Sequence, residues 1–87
     1  MFRVLLHPVA HKELEALDPA SRDAIKKKLR ELEQFPERGK HLRHSPFRTL
    51  RVGDYRAVYE VVHREQKVIV LYIGHRKHVY DDLSRAF

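Results

Sequence analysis

The alternation of apolar and polar residues predicts a strand followed by a helix at the start of the chain. Residues 2–6 form a short apolar run that ends before Pro8, which is typical of a β-strand. Pro8 suits the first turn of a helix on which Val9, Leu14 and Leu17 share one face. The chain therefore begins with a strand that leads directly into a short helix.

A second helical pattern begins at Asp18-Pro19. Asp18 can accept hydrogen bonds from the free N–H groups of the first turn, and Pro19 occupies the first helical position. Four apolar residues then recur at helical spacing: Ile25, Leu29, Leu32 and Phe35. Residues 26–28 are lysines that face outward, and Pro36 ends the pattern. The two helices should form an antiparallel hairpin whose apolar stripe covers a sheet.

The second half of the chain has the pattern of strands. Residues 36–46 contain two prolines and a glycine and show no apolar period, which predicts a loop. Strands are predicted at about 47–52, 55–63 and 67–73, and a short last helix at 79–86. We therefore expect a single α+β domain over residues 1–87. It consists of an N-terminal strand, a two-helix hairpin on an antiparallel sheet of about four strands, and the short C-terminal helix.

The segment Val52-Gly53-Asp54-Tyr55 predicts a tight β-hairpin with Gly53 and Asp54 as its turn residues. In that register Val52 pairs with Tyr55 and Arg51 pairs with Arg56. One face then carries the core residues Leu50, Val52, Tyr55, Ala57, Tyr59 and Val61. The other face carries Phe47, Thr49, Arg51, Arg56, Val58 and Glu60.

Two guanidinium groups directly across from each other suggest an anionic ligand. Like charges in a cross-strand pair cost on the order of 0.2–1 kcal/mol. A phosphate between them would remove that cost, and the planar fork of arginine matches phosphate oxygens. The alternative is that Glu60, or Asp81 and Asp82, neutralise the pair within the protein.

Composition excludes several classes of protein. The chain has 87 residues and no cysteine, so disulfides and thiolate zinc sites are excluded. No apolar stretch approaches the roughly 20 residues of a membrane span. The N-terminus lacks the layout of a signal peptide, so we expect a cytoplasmic protein without membrane association.

The net charge of +6 is concentrated in the second half of the chain. Residues 1–37 contain seven Lys/Arg and seven Asp/Glu, whereas residues 38–87 contain eleven Lys/Arg and five Asp/Glu. Between Arg38 and Arg51 there are five cations, two histidines and no acid. Such a segment is either a solvated surface or a binding site for a polyanion, which is usually a nucleic acid.

Two sequence strings resemble the signature of RelE-type toxins. They are Leu50-Arg51-Val52-Gly53-Asp54-Tyr55-Arg56-Ala57-Val58-Tyr59-Glu60 and Ile73-Gly74-His75-Arg76-Lys77-His78-Val79-Tyr80. The order of predicted elements is also similar to the RelE/ParE toxin superfamily along the whole chain. The second string resembles the RelE branch more than the ParE branch, whose members poison DNA gyrase.

The resemblance implies cleavage of mRNA in the ribosomal decoding site without a metal or another cofactor. A ribose 2′-OH attacks the adjacent phosphorus, so the 2′ proton must be removed, the phosphorane stabilised and the 5′ oxygen protonated. Arg56 matches the family's hairpin arginine, Arg76 the arginine after the last strand, and Tyr80 the terminal tyrosine. The resemblance implies that both arginines stabilise the phosphorane, while Tyr80 stacks or donates a proton.

The chain departs from the family on the strand before the turn. RelE-type enzymes often carry lysines there, whereas this chain has Phe47 and Thr49. Neither residue can act as a base or a cation, so His75 or His78 is the candidate for proton transfer. Phe47 could stack on a base. The candidate RNA-binding residues are Arg51, Arg48, Phe47, Lys40, Arg43 and His41.

A metal site is not expected. His41-x-x-His44 and His75-x-x-His78 each supply two histidines, and two histidines without a third ligand do not make a zinc site.

The expected partners are mRNA, the ribosome and an acidic antitoxin that binds the basic face or displaces the C-terminal helix. Two other functions stay open at this point. The protein could be a RelE-like fold that binds RNA or the ribosome without cutting, or a ParE-like inhibitor of DNA gyrase.

Overall fold

A computed structural model describes residues 1–77, which form two helices against one face of a five-stranded sheet. The helices are α1 (Pro8–Glu15) and α2 (Pro19–Glu31), and a 3-10 turn at His63–Glu65 joins the last two strands. The strands are β1 (Arg3–Leu6), β2 (Lys40–His41), β3 (Phe47–Val52), β4 (Tyr55–Val62) and β5 (Lys67–His75). This arrangement confirms the predicted α+β class.

The helices begin where the sequence predicts, because local side chains satisfy the first free N–H groups. The Asp18 carboxylate accepts a hydrogen bond from Ser21 N at 3.0 Å, which lowers the pKa of Asp18. At the start of α1, His7 Nδ1 accepts from Val9 N at 3.1 Å. α2 ends at Glu31, and the following turn leaves Phe35 exposed with the Arg38 guanidinium 5.1 Å above its ring. The prediction that Phe35 lies in the buried stripe is therefore wrong.

The sheet has one strand more than expected, and it is mixed. Its order is β1-β5-β4-β3-β2, and β1 pairs parallel with β5 at one edge. The fifth strand, β2, lies within the segment predicted as a loop, where Lys40 pairs with Thr49 and His41 with Arg48. A strand of two residues is too short to show an apolar–polar alternation in the sequence. It is recognised only by its pairing with β3.

The main core lies between the helices and the sheet. Its buried residues come from the helical hairpin and from alternate positions of β3, β4 and β5. They are Ala10, Leu14, Ile25, Leu29, Leu32, Leu50, Ala57, Tyr59, Val68, Val70 and Ile73. The predicted core face of the β3–β4 hairpin is thereby confirmed, with Val52, Tyr55 and Val61 packed at its margin.

A β-bulge interrupts the pairing of β4 with β5. Tyr59 pairs with Val70 but its neighbour Val58 pairs with Tyr72, so Leu71 is an extra residue in β5. The bulge reverses the side-chain alternation of β5. Val68 and Val70 lie in the helix-side core before it, whereas Tyr72 packs with Val58 in a separate cluster on the other face after it.

The described part of the chain contains no helix that is both long and apolar enough to cross a membrane. The predicted C-terminal helix at 79–86, together with His78 and Tyr80, lies outside the described residues.

Candidate nucleic-acid interface

The β3–β4 hairpin has the predicted register. Val52 pairs with Tyr55 and Arg51 with Arg56, and Gly53 adopts the positive φ of 60° that the turn requires. Arg51 and Arg56 are therefore cross-strand neighbours on one face. Because the turn chemistry is local, the sequence is sufficient to predict this register.

These arginines lie on the sheet face that points away from the helices, which we call the arginine face. It is formed by Lys40 of β2, alternate residues of β3 and β4, and the end of β5. Its members are Lys40, Phe47, Thr49, Arg51, Arg56, Val58, Glu60, Tyr72 and Gly74.

The two paired arginines make different contacts on this face. Arg56 Nη1 donates to Thr49 Oγ1 at 3.3 Å, so its guanidinium leans along the sheet toward β2. Arg51 is exposed, and its Nε donates to Gly53 O at 3.2 Å. The two guanidinium groups thus extend in different directions from a directly paired position on β3 and β4.

Arg76 follows the last strand and continues its pairing. Its backbone N donates to Asp54 O at 2.8 Å, directly beyond the Tyr55–His75 pair. Alternation from Gly74 places the Arg76 side chain on the arginine face, where its Nε lies 4.0 Å from Asp54 Oδ1. The side chain is 41 % exposed, so this ion pair is weakly held. Three arginines therefore lie on one face around the hairpin turn.

His75 is not brought to the arginine face. It pairs with Tyr55, and its ring makes an edge-on contact with the Tyr55 ring, 5.8 Å between centroids, on the helix side of the sheet. Its Nδ1 accepts from Lys77 N at 3.2 Å. The structure therefore does not support His75 as the proton-transfer group beside the arginines, because the bulge in β5 exchanges the faces of all residues that follow it.

Of the remaining RNA-binding candidates, Lys40 and Phe47 lie on the arginine face, whereas Arg48 and His41 do not. Arg48 pairs with Tyr59 on the core side, and its Nη1 donates to Gly39 O at 2.8 Å and Glu37 O at 3.3 Å. Arg48 thus stabilises the backbone of a loop. Arg43 is exposed in the turn between β2 and β3.

Tyr59 and Arg48 together hold the segment 36–39 against the sheet, and we call this set of contacts the loop latch. The Tyr59 hydroxyl donates to Pro36 O and accepts from Gly39 N, both at 2.8 Å. Gly39 is required there, since a Cβ would stand 2.6 Å from both Thr49 O and the Tyr59 hydroxyl. The latch fixes the backbone immediately before Lys40, and so fixes the strand that carries this lysine.

Tyr59→Phe should destabilise the protein by about 1–3 kcal/mol at neutral pH, because Pro36 O and Gly39 N both lose their partner. Burial raises the pKa of the Tyr59 hydroxyl. The unfolded tyrosine ionises near pH 10, so the stabilisation is complete below about pH 10 and is lost as the pH rises through the folded-state pKa. Urea unfolding from pH 7 to 11 measures both effects.

The matched control is Tyr55→Phe, which removes a hydroxyl at the margin of the same core. The difference in unfolding free energy between wild type and Tyr59→Phe should shrink above about pH 10. Equal urea midpoints for wild type and Tyr59→Phe at pH 7 would contradict the latch.

Two residues near the arginines were not expected from the sequence. Tyr72 is 8 % exposed on the arginine face, and its ring lies over Gly74, which pairs with Arg56. The run of apolar residues in β5 predicts only a buried strand. Nothing in that run indicates the bulge that places the Tyr72 side chain on the arginine face. Within residues 1–77 there is no group of three or more metal-ligating side chains.

Comparison with known proteins identifies the family. Residues 4–80 match the family described as the ParE toxin of type II toxin-antitoxin system, parDE. A comparison with curated protein sequences gave no significant match.

Several solved toxin structures share the fold. The toxin–antitoxin complex RelBE2 of Mycobacterium tuberculosis is 28 % identical, with a TM-score of 0.79 over 86 % of this chain and 98 % of that one. The intact E. coli RelBE complex is 31 % identical, with a TM-score of 0.77 over 86 % of this chain and 96 % of that one. The isolated E. coli RelE toxin is 26 % identical, with a TM-score of 0.77 over 99 % of this chain and 98 % of that one.

The family match and the shared fold thus identify a toxin of the type II toxin–antitoxin class. More closely, the chain belongs to the RelE/ParE toxin superfamily, as the two sequence strings had indicated.

Proposed function

We propose that this toxin is an endoribonuclease that cleaves mRNA in the decoding site of the ribosome without a metal ion. The observation that carries the proposal is the position of Arg51, Arg56 and Arg76 on one face of the sheet around the hairpin turn. Family membership alone does not distinguish cleavage from other toxic activities, whereas clustered guanidinium groups specifically suit a phosphodiester.

In the proposed reaction the ribose 2′ oxygen attacks the adjacent phosphorus and the bond from phosphorus to the 5′ oxygen breaks. The products are a 2′,3′-cyclic phosphate and a 5′-hydroxyl. Negative charge accumulates on the phosphorane oxygens, and Arg56 and Arg76 stabilise it there, while Arg51 positions the RNA. Preorganised donors of this kind lower the barrier most when water is excluded, and binding in the decoding site would exclude it.

The described residues provide few groups that could transfer a proton in this reaction. Phe47 and Thr49 cannot accept a proton, and His75 lies on the opposite face of the sheet. Of the predicted proton-transfer groups, this leaves His78 and Tyr80. Lys40 pairs with Thr49 on the arginine face and is exposed, so it can supply a positive charge beside the Arg56 guanidinium.

Within a toxin–antitoxin module the protein would be held inactive by a cognate antitoxin. The similar structures include complexes of RelE-type toxins with their antitoxins. The excess of Lys and Arg in residues 38–87 suits an acidic partner that covers the arginine face.

The test is a primer-extension assay on ribosomes programmed with a short mRNA. The purified toxin should produce cuts within the codon in the decoding site, and the cuts should persist when divalent ions other than those that maintain the ribosome are omitted. Addition of the antitoxin should abolish them. If the mRNA stays intact at toxin concentrations that saturate the ribosome, the proposed reaction is wrong.

Inhibition of DNA gyrase is the second candidate function, because the matched family is described by its ParE members. A supercoiling assay with purified gyrase distinguishes the two, since an endoribonuclease leaves supercoiling unchanged. A toxin that binds ribosomes with a steep salt dependence but neither cuts mRNA nor inhibits gyrase would instead act by binding alone.

A further inference from the structure

We propose that Tyr72 is an RNA-contacting residue of the arginine face, and that its hydroxyl donates a hydrogen bond to the phosphate bound by the arginines. The inference rests on the proposed function and adds to it a group that neither sequence string contains. It depends on three observations: the bulge in β5, the position of the Tyr72 ring over Gly74, and the pairing of Gly74 with Arg56.

The bulge determines on which face Tyr72 lies. In an uninterrupted strand, Tyr72 would share a face with Val68 and Val70 and lie in the helix-side core. The extra residue Leu71 turns it to the opposite face, where it pairs with Val58. Bulges of this kind are frequent beside active sites, because they re-aim a side chain without interrupting the sheet.

Gly74 then determines the direction of the ring. A Cβ on residue 74 would stand 2.6 Å from Tyr72 Cε1, 2.9 Å from the hydroxyl oxygen and 3.1 Å from Cζ. The phenol therefore lies along β5 over Gly74, and its hydroxyl end reaches the level of the Arg51–Arg56 pair. Any side chain at position 74 would displace it.

The Tyr72 hydroxyl thus lies on the arginine face beside the backbone positions of Arg56 and Arg76. Arg56 of β4 pairs with Gly74 of β5, and Arg76 follows Gly74 by two residues on the same face. The Arg56 guanidinium contacts Thr49 in the free protein, and on RNA binding it would turn toward β5. A phosphate that it then shares with Arg76 would lie above Gly74, within reach of the phenol. A neutral O–H donor among cations adds a hydrogen bond without adding like-charge repulsion.

The kinetic test compares Tyr72→Phe with wild type in single-turnover cleavage on programmed ribosomes. Phenylalanine keeps the ring over Gly74 and removes only the hydroxyl. We expect the saturating rate to fall by about 100-fold. The toxin concentration that gives half the maximal rate should not change, since ribosome binding involves the rest of the surface. Tyr55→Phe, on the opposite face, is the matched control and should cleave as fast as wild type.

A double-mutant cycle tests the role of Gly74. Gly74→Ala should slow cleavage in the wild-type background because the new Cβ displaces the phenol ring. In a Tyr72→Ala background the same change should add no further loss. Independent losses that multiply would show that Gly74 does not act through Tyr72, which would overturn the proposed geometry.

A readout that does not depend on cleavage separates this inference from the proposed function. The toxin is prepared with 3-fluorotyrosine, and the resonances of residues 55 and 72 are assigned with the two phenylalanine variants. Addition of a short single-stranded RNA should shift the resonance of residue 72 and leave that of residue 55 unchanged.

The outcomes are distinct. If wild type fails to cut mRNA but the resonance of residue 72 shifts, the contact exists and the nuclease proposal fails. If wild type cuts, Tyr72→Phe cuts as fast and the resonance does not move, the nuclease proposal stands and Tyr72 has only a packing role.

Discussion

Arg56→Ala is expected to slow cleavage of ribosome-bound mRNA by about 100- to 1,000-fold. The Arg56 guanidinium is half-buried, pairs with Arg51 across the hairpin and contacts Thr49 Oγ1 at 3.3 Å. Its position on the arginine face suits an interaction that strengthens when the phosphorane forms. Single-turnover primer extension measures the loss as a lower rate at saturating toxin.

Two further variants are the controls for Arg56→Ala. Arg56→Lys keeps the charge but loses the planar fork, so it should recover only part of the rate. Arg30→Ala removes an exposed arginine of α2 and should leave the rate unchanged. Circular dichroism should show that all three variants fold. Cleavage by Arg56→Ala at the wild-type rate would remove Arg56 from the reaction.

Exchange of His75 and Arg76, by His75→Arg together with Arg76→His, should reduce cleavage as strongly as Arg76→Ala, by about 100-fold. The exchange preserves composition and net charge and shifts a guanidinium by one residue. Because side chains alternate along β5, that shift moves it from the arginine face to the side of Tyr55. The rate of mRNA cleavage at saturating toxin is the measurement.

The two single variants are the controls for the exchange. His75→Ala should retain most of the activity, since His75 lies against Tyr55, whereas Arg76→Ala should lose it. Retention of full activity by the exchanged variant would mean that only the charge of this segment matters. The face to which the bulge assigns Arg76 would then be irrelevant to the reaction.

The parts of the fold that were predictable depend on neighbours in the chain. Asp18 caps α2 through Ser21, three residues away, and the Gly53 turn sets the pairing of Arg51 with Arg56. For the same reason the bounds of β3 agree with the prediction, and those of β4 and β5 agree to within two residues. Local hydrogen bonds and turn geometry are encoded over a few residues, so a pattern in the sequence is enough to recognise them.

The parts that were missed depend on contacts between distant segments. β2 depends on Tyr59 and Arg48, which hold residues 36–39 from positions between 9 and 23 residues further along the chain. The charge of Arg48 predicts RNA binding, whereas in the structure its Nη1 donates to the loop carbonyls of Glu37 and Gly39 on the core side of the sheet. The parallel pairing of β1 with β5 joins the two ends of the described chain, and nothing in either segment specifies the other.

The amino-acid order is therefore sufficient for the α+β class, the helical hairpin and the facing pair Arg51–Arg56, because each follows from periodicity or from a turn of two residues. The bulge at Leu71 is different, since it is defined by the pairing of β5 with β4 and no pattern within β5 marks it. Because of that single extra residue, His75 lies on the helix side, and Tyr72 and Arg76 lie on the arginine face with Arg51 and Arg56. The composition of the candidate site is thus a property of the assembled sheet.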